Sequence, residues 1–365
     1  MAIPKFDPKE LKVVSEKASF MPGAGIPIYD FPVTPREAYR ALYEGKPIWQ
    51  MTGLEYQMFA PRVNPDNIAR AMVIDGSPFT GAPTGGKDMF GIDWEFVPSV
   101  GGSIVHPGKP LFTDANDWEK KIVWPDVDSW NWKENGEQNK AFLSDTYWNQ
   151  CWFQNGWFER LISFMDFEPA LMALFDEDQQ DATKAFFDKL ADLYIDILDH
   201  HFHYFPQIDE MYMHDDWGSQ KETFFSPALC AEMIVPSMKK VTDFIHSTGR
   251  FAQLHSCGQI YKQVPNMAAA GWDAWSGQAM NDSQKIYNDF GDKLLIGVSP
   301  DVFDPTTADE DEQRAVAKSY AERFCQPGKP SYFGMYWNGV RNGSDALTLA
   351  FREELYKQSR INYGK

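Results

Sequence analysis

Basic residues are in short supply: 34 Lys and Arg stand against 52 Asp and Glu, a formal net charge of −18 over 365 residues. A chain so acidic repels phosphate backbones and anionic membrane surfaces, which argues against nucleic acid or a membrane as its partner. Long apolar runs are missing as well. No stretch approaches the roughly 18 uninterrupted apolar residues of a membrane span. The opening Met1-Ala-Ile-Pro-Lys-Phe-Asp7 lacks the basic-then-apolar order of a secretory leader, so the expected location is cytoplasmic. Only 4 cysteines are present, too few for a disulfide framework in so long a chain, which leaves burial or metal binding in a reduced compartment. There is no Gly-x-Gly-x-x-Gly, P-loop, Gly-x-Ser-x-Gly or His-Glu-x-x-His signature, no solenoid repeat and no low-complexity tract.

The composition that remains, 43% hydrophobic and 24% charged, is that of a globular protein with a substantial core. Aromatics make up 15%, with 13 Trp. Most of these rings are expected in the core, and part of the surplus is available to line a pocket for a flat ligand. Residues 1 to about 45 are Pro- and Gly-rich and end in a short helical pattern, Pro35 to Glu44; they read as an extension wrapping a domain that runs from 46 to 365. Eight short β-rich runs follow: Pro47 to Met51, Met89 to Val97, Trp148 to Gln154, Ile208 to His214, Phe251 to His255, Trp272 to Gly277, Leu294 to Val298 and Tyr332 to Tyr336.

From the third run onward the intervening segments look helical, the alternation of parallel βα units. Pro227 to Thr248 has Ser226 as N-cap, Pro at the first helical position, an interior Pro236 that should kink it, and Gly249 as terminator. Thr307-Ala-Asp-Glu310 reads as a capping box for a helix to Phe324, and a long helical stretch spans Pro169 to Tyr204. Pro98 to Tyr147 fits no βα pattern and reads as an insertion. The expectation is therefore a single α/β domain, a (β/α)8 TIM barrel with an N-terminal extension and an insertion near residues 98–147.

In such barrels the active site forms where strands end at their C-terminal side. Here the fourth strand runs into His214-Asp-Asp-Trp-Gly-Ser-Gln220, the fifth into His255-Ser-Cys-Gly258, the sixth into Gln278, the seventh into Ser299-Pro-Asp301 and the eighth into Trp337-Asn338. His255 and Cys257 are two apart, so an extended backbone puts both side chains on one side, and Gly258 lets the chain turn behind them. That pair suits zinc; equally it suits a core histidine beside a buried thiol. Adjacent carboxylates cannot share one face of a strand end, so Asp215 is assigned to support and Asp216 to the substrate side. His200, His201 and His203 are assigned to structure.

The stretch Asp215-Asp-Trp-Gly-Ser-Gln220, a Ser-Pro-Ala helix start, Ile234-Val-Pro236, Phe244-Ile-His246 and Leu254-His-Ser-Cys-Gly258 together resemble the uroporphyrinogen decarboxylase superfamily. Within it the likeness is to the corrinoid-dependent methyltransferase branch. Asp88-Met-Phe-Gly-Ile-Asp-Trp94, Trp118-Glu with Trp124-Pro-Asp126, and Asp166-Phe-Glu-Pro-Ala-Leu171 extend the resemblance along nearly the whole chain. The decarboxylases carry an arginine-bearing loop after the first strand; here Pro47 to Tyr56 holds no arginine, and the next along the chain is Arg62, which disfavours a poly-acid tetrapyrrole substrate.

The resemblance implies transfer of a methyl group from a small methoxylated, aromatic substrate to the cobalt of a corrinoid (cobalamin) carried on a partner protein. It implies zinc on His255 and Cys257, or an acid from His214 or Asp216, to activate the ether oxygen, with His214, Asp216 and His255 as the catalytic candidates. Trp152, Trp217, Tyr336 and Trp337 are the candidates to stack on a ring, with Gln220 and Gln278 at the rim, and a homodimer is compatible with it. A coenzyme M-type thiol methyltransferase would need a second, later cysteine, and Cys325 precedes the eighth strand. A decarboxylase-like or non-catalytic corrinoid-binding protein is the remaining alternative.

Overall fold

The structure, a computed structural model, describes residues 5–17, 26–77, 85–99, 102–301, 309–334 and 349–365. The architecture is mixed α/β, with parallel strands alternating with helices in the manner of a TIM-like fold. The chain divides into two compact units: Met1–Gln57, Asp145–Trp148 and Asp273–Lys365 form one, and Met58–Ser144 with Asn149–Trp272 form the other. No helix among the described residues is long and apolar enough to cross a membrane.

The strands Tyr56–Phe59, Trp148–Phe153, Glu210–His214 and Phe251–His255, the last two wholly in the second unit, lie side by side in that order. The last three pair in parallel, with Trp152 opposite Tyr212 and His214 opposite His255. These strands are almost entirely buried, as parallel strands covered by helices must be. In the first unit Ala274–Ser276, Leu295–Val298 and Tyr332–Phe333 also pair in parallel. Six of the eight expected runs therefore hold a strand of the main parallel sheet.

The first two do not. Pro47 to Met51 is buried but irregular: Pro47 has no N–H to offer a ladder, and the Gln50 N–H donates to Ser359 Oγ at 2.9 Å. The strand in that part of the chain is Tyr56–Phe59. Met89 to Val97 yields only Asp93–Val97, because Asp88 Oδ1 accepts from the N–H groups of Phe90 and Ile92, both at 2.9 Å, and folds the preceding residues into a turn. That strand pairs antiparallel with Gly85–Lys87 and Gly102–Val105 in a small separate sheet. Residues 335 and 336 of the eighth run, and residues 307 and 308 of the expected capping box, lie outside the described residues. The helix there runs Glu310–Phe324, with Asp309 as its N-cap.

The helix signals translate closely. Thr34 and Glu37 form a capping box on Pro35–Tyr43. Ser226 caps Pro227–Met233, and the chain re-enters a helix at Val235–Ser247 with Pro236 in its first turn. The long stretch after Pro169 is two helices, Phe167–Phe175 and Glu177–Tyr204, parted at Asp176, whose side chain caps the second. His200 and His201 pack on Trp132, and His201 is buried with Nδ1 on the Ile197 carbonyl.

Charge is buried deliberately in the second unit. Arg160, fully buried, donates to Asp88 Oδ2 at 2.6 Å and to Asp66 Oδ2. Burial pushes the Asp66 carboxyl up, and the Arg160 guanidinium works against that. Removing one partner of such a group strands the rest in a low-dielectric interior, at a cost of about 3–5 kcal/mol. Arg160→Met should accordingly lower the urea-unfolding free energy by about that amount; a loss under about 1 kcal/mol, the level of an exposed ion pair, would show that the group contributes no more than surface charge.

Candidate metal centre

In parallel pairing, residues opposite one another point the same way, so the register that sets His214 against His255 sets their side chains together. The rings stand 5.0 Å apart, centroid to centroid, at 35°. Behind them on the same side are Tyr212, stacked near-parallel to His255 at 6.1 Å, and Trp152, stacked on Tyr212 at 4.4 Å. One layer further back, Gln150 Nε2 donates to Glu210 Oε2 at 3.3 Å and to Gln253 Oε1 at 3.1 Å. The interior face of these strands is thus aromatic and polar rather than aliphatic.

Beyond the strand ends the two chains are tied together. The Asp215 N–H donates to the His255 carbonyl, the Trp217 N–H to Ser256 Oγ, and the Gln259 N–H to the Ser219 carbonyl. Gly258 (φ +89°) passes so close to Gly218 that a Cβ on it would lie 2.2 Å from the Gly218 carbonyl oxygen. Asp215 turns away from the cluster. It is fully buried and accepts from the N–H groups of Phe158 and Glu159, at the start of the helix Trp157–Met165, and from the Trp217 indole. Gly156 makes room for it: a Cβ there would meet the Asp215 Cβ at 2.4 Å. Desolvation, then the nearby Glu159 charge, raises the Asp215 carboxyl to about 7.

His214, Asp216, His255 and Cys257 bring one donor atom each into a group in which all four lie within 4.8 Å of one another. His255 Nε2 is 3.3 Å from Cys257 Sγ, and His214 Nε2 is 3.7 Å from Asp216 Oδ1. Zinc bound at about 2.0–2.3 Å in a tetrahedron needs donors about 3.3–3.8 Å apart, and these two pairs stand at that spacing. Asp216 Oδ1 also accepts the Cys257 N–H at 2.6 Å, which orders the loop between the donors.

The charges around the group suit a cation. Burial opposes protonation of His214, but the Glu159 and Asp216 carboxylates outweigh it and hold the imidazole above its ordinary pKa. Burial, and next the Asp216 charge, drives the Cys257 thiol up, so a bound cation is what would ionise it. One carboxylate and one thiolate would then balance a divalent ion. Glu159, against its own burial, is brought down to about 2 by Arg70 and His214.

Four of the residues singled out in the sequence thus converge, and others are placed elsewhere. Trp217 is fully buried with its indole N–H on Asp215, so it supports that carboxylate and has no face for a ligand. Trp152 lies behind the cluster, against Tyr212, with its N–H on Gln150. Gln220 is exposed in the turn closed between Ser219 and Glu222, and Gln278 is half-buried in the other unit. Tyr336 and Trp337 lie outside the described residues.

Sequence reasoning missed Glu159, whose Oε2 lies 2.6 Å from His214 Nδ1, and Arg70, whose Nη1 lies 3.0 Å from Glu159 Oε1. An acid in the first helical turn after the third predicted strand was the available signal for Glu159; nothing pointed to Arg70.

No protein-family model matches the chain, and none of the curated proteins is similar to it in sequence.

The Gly258–Gly218 approach can be measured. Gly258→Ala should lower stability by about 1–3 kcal/mol in thermal unfolding, combining left-handed backbone strain with a steric clash. Gly45→Ala, at φ +71° with nothing within 4 Å, should incur only the backbone part. Equal losses in the two variants would mean that the loops do not meet as described.

Proposed function

We propose that the protein is a metal-dependent methyltransferase on a (β/α)8 barrel of the uroporphyrinogen decarboxylase kind, moving a methyl group from a methoxylated aromatic substrate to the cobalt of a corrinoid protein. The observation that carries this reading is the make-up of the donor group: two imidazoles, one carboxylate and a single thiol. Several thiolates would load a metal with charge and suit it to activating a thiol; mixed nitrogen and oxygen donors leave it the stronger Lewis acid. The donor set therefore favours an ether-oxygen substrate over a coenzyme M-type thiol. Among the described residues no second cysteine joins the group, and Cys325 instead donates to Gln50 Oε1 at 3.6 Å in the other unit.

His214, Asp216, His255 and Cys257 would hold the metal. When bound, it would polarise the ether oxygen and lower the cost of the leaving alkoxide. Asp216 has a side chain 30% exposed against 13% for His214, so it faces the approach to the site and is the donor whose displacement would open a coordination position for the ether oxygen. Tyr212 and Trp152 back the His255 ring and limit its rotation. In the transfer the carbon–oxygen bond breaks with its electron pair left on oxygen. The methyl carbon would pass to cob(I)alamin, the two-electron nucleophile that the partner would supply as acceptor substrate.

The reading is tested by supplying methoxylated aromatics with cob(I)alamin and following methylcobalamin absorbance. The expected result is turnover that falls about 100-fold or more in His255→Ala. Absence of methyl transfer from any O-, N- or S-methyl donor would contradict it.

A further inference from the structure

The donor cluster does not end at its four members. His214 Nδ1 meets Glu159 Oε2 at 2.6 Å, and Glu159 Oε1 meets Arg70 Nη1 at 3.0 Å. The same Arg70 nitrogen donates to Asn155 Oδ1 at 3.0 Å, and Asn155 Nδ2 donates to Asp66 Oδ2 at 3.1 Å. Asp66 closes the chain on Arg160, which also holds Asp88. Arg70 and Glu159 are only 14% and 10% exposed, and the Arg70 guanidinium lies over the Trp94 ring at 4.9 Å. Asn155 takes up a left-handed backbone, φ +61°, to occupy its place. A non-glycine residue in that region is held there by its surroundings.

Glu159 is also gripped from its backbone. Asp215, the neighbour of His214, accepts the Glu159 N–H at 2.9 Å, while Arg70 takes the far end of its side chain. The carboxylate aimed at His214 is thereby restrained at both ends. A carboxylate so placed keeps the proton of a neutral imidazole on Nδ1 and leaves the Nε2 lone pair directed at the other donors. An arginine meant for a substrate anion would not have one nitrogen shared between a glutamate and an asparagine in a half-closed aromatic slot.

We propose that Glu159 and Arg70 are positioning residues: Glu159 selects the tautomer in which His214 is a metal donor, and Arg70, anchored through Asn155 to the Asp66–Arg160–Asp88 group, holds Glu159 in place. This rests on the metal reading above. It ties Asp66 and Arg70, which follow Tyr56–Phe59, to the centre, although neither belongs to the donor group.

The test is titration of Co2+ into the metal-free full-length protein, reading affinity by chelator competition and geometry from the visible d–d bands. Wild type should bind one Co2+ with tetrahedral bands. Glu159→Gln, which keeps shape but lets the amide impose the other tautomer, should bind about 10–100-fold more weakly with altered bands. Arg70→Met should weaken binding to a smaller degree, and Arg70→Lys should recover part of that loss. Thermal melts near wild type in Glu159→Gln and Arg70→Lys exclude a folding artefact. Wild-type affinity and bands in Glu159→Gln would overturn the positioning role alone. No cobalt bound by wild type would overturn the metal reading and the role that rests on it.

Discussion

The candidate centre depends on one pairing: Glu210–His214 against Phe251–His255, in parallel, with His214 opposite His255. A slip of one residue would turn one imidazole to the helix side of the sheet and leave the other alone. With the register kept, both strands end at the same height. The two following segments, each crossing the other at a glycine, then bring Asp216 and Cys257 back over the pair. The thiol and the exposed carboxylate are loop residues held by the Cys257 N–H on Asp216, and the two imidazoles are strand residues held by the ladder. Precision comes from the strands and access from the loops.

The second element is the way buried charge is distributed. Asp66, Asp88, Glu159 and Asp215 lie in the same unit as Arg70 and Arg160, and each carboxylate has defined donors. Buried groups of this kind contribute little net stability compared with a well-packed apolar core, but they are costly to break singly. Their return is orientation: a glutamate that cannot rotate presents one oxygen to one nitrogen. The aromatic column Trp152–Tyr212–His255 restrains the second imidazole by contact instead of by charge.

Much of this was legible in the residues. Strands with strong β character and bounded by turn residues, such as Ile208 to His214 and Phe251 to His255, were found close to their true limits, and Ser226 and Gly249 ended their helices as capping chemistry requires. The parity argument assigned Asp215 to support and Asp216 to the substrate side; Asp215 is buried against Phe158 and Glu159, and Asp216 is half-buried in the donor group. Pro47 to Met51 misled because a buried apolar run needs no ladder when a serine hydroxyl takes its N–H. Met89 to Val97 misled because one aspartate side chain folded its first half into a turn. Arg70 was invisible because its partners, Asn155 and Glu159, lie 85 and 89 residues away, and no local pattern encodes such a contact.

The central claim is that His214, Asp216, His255 and Cys257 hold a single divalent metal ion. X-ray absorption at the metal edge of protein purified without chelator reads the ligand shell directly. The account predicts one zinc per chain, with one sulfur at about 2.3 Å and the remaining nitrogen and oxygen donors at about 2.0–2.2 Å, and loss of the sulfur shell in Cys257→Ser. A shell of two or more sulfurs, or protein that carries no metal and takes up none when zinc is supplied, would contradict it.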